Sequence, residues 1–340
     1  MFDKIEQARV SELHFKTDDE SQLKSIIAIH NTKFGPALGG CRCIEYDSDE
    51  AAINDVIRLA RGMSYKAALA QVPQGGGKAV ILKPKNIIDR GALYRAFGKF
   101  VNELGGRYIT AVDSGTGLGD MDEVAKVTSF VSGSHGDGLD PSPMTALGVL
   151  AGMKSAAYHR YGNADLAGRI VAIQGVGNVG FSLAELLHKE GARLLVSDID
   201  AGKVEQVRRA FGAEPITPDH VFDTECHIFA PCGLGAVIND TTIETLNCDI
   251  IAGSANNQLA EPRHGLALHQ KGILYTPDYV INAGGLIKVA LGHLHKTEQT
   301  IRQKTWRIGE TLLHIFERSR AEDLPPSLIA DQMAEELLYA

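Results

Sequence analysis

Two lysines in the first quarter of the chain have the setting of a proton-transfer site. Lys78 follows three consecutive glycines in "VPQGGGKAVILKP" (72–84), an order no P-loop has, and Lys66 precedes it with "AALAQVP" turning the chain back between them. If both ammonium groups face one recess, each disfavours the other's charge, and a partly desolvated lysine then serves as a base near neutral pH. The glycines would let backbone approach a ligand closely, and the apolar run after Lys78 would start a strand that holds its base rigid. Two solvated surface lysines are the plain alternative, and spacing alone leaves it open. Asp113 adds a carboxylate just past "YITAV" and before "SGTG"; its plain role is a turn or helix-capping aspartate. Asn256 and Asn257 follow another apolar run, where loops line ligand crevices and where ordinary turn asparagines also occur.

A second constellation is easier to read. "LAGRIVAIQGVGNVGFSLAELLHKEGARLLVSDID" runs strand, glycine turn, helix, strand, with Gly175-x-Gly177-x-x-Gly180 between its first two elements. Such glycines permit a tight turn and bring a pyrophosphate onto amide groups at a helix N-terminus. Asp198 closes the next strand, where a carboxylate accepts from ribose hydroxyls and repels a 2′-phosphate; NAD is therefore expected over NADP. The plain alternative for Asp198 is a helix cap.

The elements that must position these residues form two α/β units. "SIIAIHNTKFGPALGG" reads as one strand ending in Gly-Pro punctuation, and "SDEAAINDVIRLARGMSYKAALA" as an amphipathic helix capped at Ser48 with Ile53, Val56, Ile57 and Ala60 on one face. "KAVILKP" reads as a buried strand, "RGALYRAFGKFVNELGG" as a helix and "RYITAVD" as a strand. Gly, Ser, Pro and Asp concentrate in "VSGSHGDGLDPSPM", which places a boundary there, and a helix is expected from Pro143 or Met144. "CHIFAPC" and "CDIIAGSANN" continue a doubly wound pattern. The domains expected are 1–135, an α/β substrate and oligomerisation domain, and 140–320, a Rossmann-type domain.

At 340 residues with 36 glycines, two domains are the natural expectation. A net charge of −8 with interspersed signs gives no nucleic-acid footprint. Five cysteines without a CxxC pair read as free thiols in a reducing compartment. No apolar run is long enough to cross a bilayer and the amphipathic N-terminus lacks a signal-peptide core, so a cytoplasmic protein is expected. No metal is expected: His293 and His295 diverge on a helix, and His135 reads as a solvated loop residue.

"GPALGGCR", "LARGMSYKAAL", "GGGKAVI", "GRYITAVDSGT", "PSPMTALGV", "IQGVGNVG", "APCGLGA", "AGSANNQL" and "PDYVINAGGLI" occur in that order from about residue 25 to 290. Together they resemble the leucine, phenylalanine, valine and tryptophan dehydrogenase group of the amino acid dehydrogenase superfamily, which includes glutamate dehydrogenase. The final fifty residues are similar only in being helical; in relatives the last helix packs on the first domain, here about 320–340.

The resemblance implies roles at matching positions. Lys66 would bind the substrate α-carboxylate, Lys78 would activate water, and Asp113 would shuttle protons to and from the amino nitrogen. Asn257 would bind the α-amino group, helped by backbone near Gly39 and Gly40. Thr145 would contact the nicotinamide, the Gly175–Val176–Gly177–Asn178–Val179–Gly180 turn the pyrophosphate, and Asp198 with Ile199 the adenosine. Ala230, Pro231, Cys232, Ala255 and Asn256 would line the remaining groove. A cleft between the domains would close to exclude water during hydride transfer. The side-chain pocket would be Leu38, Ala111, Leu286 and Val289, all apolar; glutamate is disfavoured and branched aliphatic amino acids fit best. The implied reaction is reversible deamination to a 2-oxo acid and ammonia.

An aromatic amino acid dehydrogenase is the first alternative, because one methylene of pocket depth is worth only about 1–3 kcal/mol. A non-catalytic dinucleotide-binding protein is the second. Lys288 departs from the group, where an amide is commoner; it would either edge the pocket or face solvent or a neighbouring subunit. Relatives assemble as dimers or octamers, and the strand near residues 25–45 is the expected self-pairing edge.

Overall fold

The computed structural model describes residues 2–134 and 140–340; His135, read above as a linker residue, lies outside them. The chain divides into two compact units. One takes the residues up to Asp140 together with Val289–His295 and Ala334–Ala340, and the other takes Pro141–Lys288 and Lys296–Met333.

The first unit is a five-stranded sheet with helices on both faces. After helix α1 (Phe2–Gln7), strands β1 (Glu12–Asp18), β2 (Leu23–Asn31), β3 (Ala37–Ile44), β4 (Gly75–Leu82) and β5 (Tyr108–Val112) lie in the order β1-β2-β4-β3-β5. β1 and β2, and β2 and β4, run antiparallel, while β3 is parallel to both β4 and β5. Helix α2 (Asp49–Ala70) begins where the Ser48 hydroxyl accepts the Ala51 amide, as the sequence implied, and ends at Gln71 in the left-handed region. Its Ala52, Val56, Ile57 and Ala60 pack on Ile26, Ala28 and Val80. Helices α3 (Arg90–Glu103) and α4 (Leu118–Ala125) cover the opposite face, with Leu93, Phe97, Met121 and Val124 against Ile27, Cys41, Ala79 and Ile81.

Three readings are corrected. The stretch through residues 25–40 is two strands, because 32–36 makes a turn in which Gly35 takes φ 143°. Those strands, β2 and β3, are interior, so they offer no edge; the edge strands are β1 and β5. The glycines before Lys78 are strand residues of β4 rather than a ligand-facing loop. An added Cβ on Gly76 would stand 2.0 Å from the Ser64 amide nitrogen, and one on Gly75 2.0 Å from the Asn31 carbonyl oxygen. The chain itself occupies the space that the glycines leave. Strand β1 and helix α4, finally, are elements that sequence periodicity did not separate from their surroundings.

The second unit carries six parallel strands, β6 (Ile170–Gln174), β7 (Arg193–Ser197), β8 (Glu214–Pro215), β9 (Cys226–Pro231), β10 (Cys248–Ile251) and β11 (Leu274–Tyr275). Their order is β11-β10-β9-β6-β7-β8, so the winding reverses between β6 and β9, the place where such sheets take ligands at their strand C-termini. Helices α5 (Ser142–Tyr161), α6 (Asn178–Lys189), α7 (Ala201–Phe211), α8 (Asp240–Thr245), α9 (Arg263–Gln270) and α10 (Asp278–Ile281) surround it. The chain closes with α11 (Gly284–His293), α12 (Glu298–Trp306), α13 (Ile308–Glu322) and α14 (Pro326–Tyr339). The last turns of α14 belong to the first unit, where Glu335 accepts from Tyr65 at 2.5 Å and from Arg61 at 3.1 Å. All five cysteines are unpaired.

Candidate active site

Alternation along three neighbouring strands collects the polar residues of the first unit. Leu38, Gly40 and Arg42 on β3, Lys78 on β4, and Ala111 with Asp113 on and after β5 share the sheet face that α2 covers. Lys78 is 6% exposed and its ammonium is ion-paired with Asp113. Burial pushes the Lys78 ammonium down to about 7, with the Arg42 and Lys66 cations acting the same way and the Asp55 carboxylate opposing. The paired lysines are therefore not two solvated surface groups; Lys78 is buried and Lys66, on α2, is partly so.

Asp113 sits in a turn tied to the sheet. Its amide donates to Thr116 Oγ1 at 2.8 Å, and that hydroxyl donates to the Cys41 carbonyl at 3.0 Å. Arg90 holds the next turn, with a two-armed bond to Asp120 at 2.7 Å on both arms and a third to the Gly115 carbonyl at 3.0 Å. Gly39 and Gly40 lie inside β3, where added Cβ atoms would meet Gly77 O at 1.8 Å and Val112 O at 2.5 Å. Leu38 and Ala111 are buried beside them.

In the second unit, β6 leads into Gly175, whose φ of 91° suits glycine, and α6 starts from Gly177. An added Cβ on Gly180 would reach Gly175 O at 2.1 Å, so its bareness lets the helix sit on the turn; Gly177 has nothing within 4 Å of that position and is open. Asn178 and Val179 open α6. Asp198 Oδ2 accepts the Val176 amide at 2.8 Å and Oδ1 the Asp200 amide at 2.9 Å, while its neighbour Ile199 stands 95% exposed. This turn, an anchoring carboxylate and an open N-terminal glycine fit a dinucleotide pyrophosphate and ribose.

Around the reversal point, the Cys232 amide donates to Gln174 O at 2.7 Å and the Ala255 amide to Pro231 O at 2.9 Å, bringing Ala230–Cys232 and Ala255 to the ends of β6 and β9. Asn257 is exposed in the left-handed region (φ 50°), and Asn256 accepts from Asn282 Nδ2 at 2.7 Å. Thr145 lies in the first turn of α5, its hydroxyl donating to Pro141 O at 3.0 Å. Leu286 belongs to this unit, whereas Val289, on the same helix, belongs to the first. Lys288 is paired with Glu298 at 2.5 Å, and helix spacing turns it well away from Leu286.

Sequence reading missed Arg42 and Asn282. The first had one signal, its place two residues after Gly40 on the strand face of Leu38; the second lies in "VINAGG" with no local mark of its bond to Asn256.

The parallel sheet with its glycine turn is the fold of a dinucleotide-linked oxidoreductase. Residues 7–130 match the Glu/Leu/Phe/Val dehydrogenase dimerisation domain, and residues 136–204 and 198–315 match the glutamate/leucine/phenylalanine/valine dehydrogenase domain. The chain belongs to this amino acid dehydrogenase family and is an enzyme of that oxidoreductase class. It is 48% identical to the leucine dehydrogenase of Thermoactinomyces intermedius over 99% of this chain and 93% of that protein, and 46% identical to that of Geobacillus stearothermophilus over 99% and 92%. The crystal structure of L-tryptophan dehydrogenase from Nostoc punctiforme superposes with a TM-score of 0.91 at 41% identity, covering 99% of this chain and 98% of that one. The family works with nicotinamide dinucleotides. No helix among the described residues is long and apolar enough to cross a membrane.

Proposed function

We propose that this enzyme is an NAD-dependent L-amino acid dehydrogenase that deaminates a branched aliphatic amino acid, leucine foremost, to its 2-oxo acid and ammonia, reversibly. The observation that carries the reading is the buried Lys78–Asp113 pair, with the lysine's pKa pushed down to about 7, beside an apolar Leu38 and Ala111. Gly175–Gly180, Asp198, Ile199, Thr145, Ala230–Cys232, Ala255 and Asn256 would hold the dinucleotide, which when bound would supply a hydride acceptor for the substrate Cα. Lys66 anchors the α-carboxylate as a point charge and so orients Cα, which supplies several kcal/mol by positioning. Asn257 and the backbone at Gly39 and Gly40 hold the amino group. Neutral Lys78 Nζ takes the proton of the water that adds to the imino carbon, and Asp113 carries protons to the departing nitrogen.

Leu38, Ala111, Leu286 and Val289 form the side-chain pocket in this reading, and NAD is favoured because Asp198 would repel a 2′-phosphate. Residues 1–135 serve substrate binding and self-association in a homo-oligomer, residues 140–320 bind the dinucleotide, and the protein works in the cytoplasm. The kinship with an L-tryptophan dehydrogenase favours an aromatic substrate as the second reading.

The test is reduced-dinucleotide formation from NAD or NADP with L-leucine, L-valine, L-isoleucine, L-phenylalanine, L-tryptophan and L-glutamate. Rates led by branched aliphatics with NAD support the proposal. Rates led by aromatics replace the substrate, and a preference for NADP overturns the role of Asp198.

A further inference from the structure

Beside the Lys78–Asp113 pair stands a third charged group that the proposed chemistry does not use. Arg42 is largely buried, at 18% side-chain exposure, and its guanidinium is anchored at one arm: Nη1 donates to Asp55 Oδ2 at 2.9 Å. Asp55 is itself held on α2, taking the Tyr46 hydroxyl on the same oxygen at 2.8 Å and Arg58 on the other at 2.9 Å. The second arm, Nη2, lies 3.9 Å from Asp113 Oδ1, and the buried Nε makes no hydrogen bond. A planar fork fixed at one end thus lies beside the carboxylate oxygen that does not meet Lys78.

We propose that Arg42 is a positioning residue for the reacting pair: braced through Asp55, its free arm aims Asp113 at Lys78 and sets a permanent positive charge beside the lysine. The inference rests on reading Lys78 and Asp113 as the groups that move protons. The charged groups facing Lys78 are Arg42 from β3, Lys66 and Asp55 from α2, and Asp113 after β5, while the titratable Cys41 lies nearby on the opposite face of β3. Burial raises the Cys41 thiol well above its ordinary range, so it stays neutral. Among the cations Arg42 acts on Lys78 more strongly than Lys66 does. A lysine cannot replace the fork, because a single ammonium held by Asp55 has no second arm for Asp113.

The sign follows from charge. A cation next to Lys78 disfavours its ammonium, so removing Arg42 raises the lysine's pKa and moves the acid limb of deamination to higher pH. The test measures kcat and kcat/KM against pH for the full-length enzyme and for Arg42→Gln, Arg42→Lys and Lys78→Ala, with thermal melting alongside. Arg42→Gln is expected to move the acid limb of kcat/KM upward by about one pH unit. Arg42→Lys is expected to leave the limb in place while kcat falls roughly tenfold, because charge is kept and aim is lost. A purely structural residue would lower the melting temperature without moving the limb.

An unmoved limb in folded Arg42→Gln, with Lys78→Ala inactive, overturns the inference alone. Turnover retained by Lys78→Ala overturns the reading of the pair, and this inference with it. If Arg42→Gln does not fold, Arg42→Lys decides: a tenfold lower kcat with the wild-type limb supports the role, and wild-type kcat contradicts it.

Discussion

Two glycine-rich segments, one in each unit, use the same residue for opposite ends. In 75–77 the missing side chains are replaced by the protein's own backbone: Ser64 of α2 presses on Gly76 and Asn31 on Gly75. In 175–180 two glycines serve the turn in the same way, but Gly177 faces open space. The first run brings a helix down onto a strand so that Lys78 is buried among charges; the second leaves room at a helix N-terminus for something the chain does not supply. Bareness in a sequence marks close approach without saying what approaches.

Substitutions at these glycines separate the two cases most sharply. Gly76→Ala sets a methyl against backbone that cannot retreat, and a loss of more than about 4 kcal/mol, or no soluble protein, is expected in denaturant unfolding. Acid probes the same packed region. His30 is buried, with Nδ1 2.8 Å from Ser64 Oγ and Nε2 3.1 Å from Ala8 O, and burial pushes its pKa down to about 4. Its folded pKa lies below the unfolded one, so stability is lost as pH falls through about 6.5 toward 4, by roughly 3 kcal/mol in all. Melting temperature against pH should show this loss, and His30→Gln should flatten it; equal slopes would remove His30 as the cause.

The open turn should respond in binding rather than in folding. Asp198→Ala is expected to weaken NAD about tenfold and to narrow discrimination against NADP, read by fluorescence titration with both reduced dinucleotides. Gly177→Ala should leave unfolding within about 1 kcal/mol of wild type while lowering dinucleotide affinity, since its methyl meets nothing within 4 Å in the protein itself. A large stability loss there would erase the contrast with Gly76.

The same contrast explains what the sequence made legible. The strand–turn–helix around 170–189 is local, so motif and fold coincide, and its parallel neighbours followed from apolar runs. In the first unit the strand order, the interior place of β2 and β3 and the purpose of Gly75–Gly77 all depend on partners distant in sequence, Ser64 above all. Lys78 and Asp113 stood out through their surroundings, but Arg42 did not: only the pairing of β3 with β4 and β5 shows that it shares their face. Lys288 read as ambiguous because its partner Glu298 lies beyond a turn, on the next helix.

The central claim is that Lys78, buried and held near neutrality, is the base of the deamination. The direct measurement is turnover of L-leucine with NAD by Lys78→Ala, together with its affinity for NADH. A fall in kcat of about a hundredfold or more with NADH affinity unchanged is the expected result. Turnover within a few-fold of the unaltered enzyme would contradict the claim.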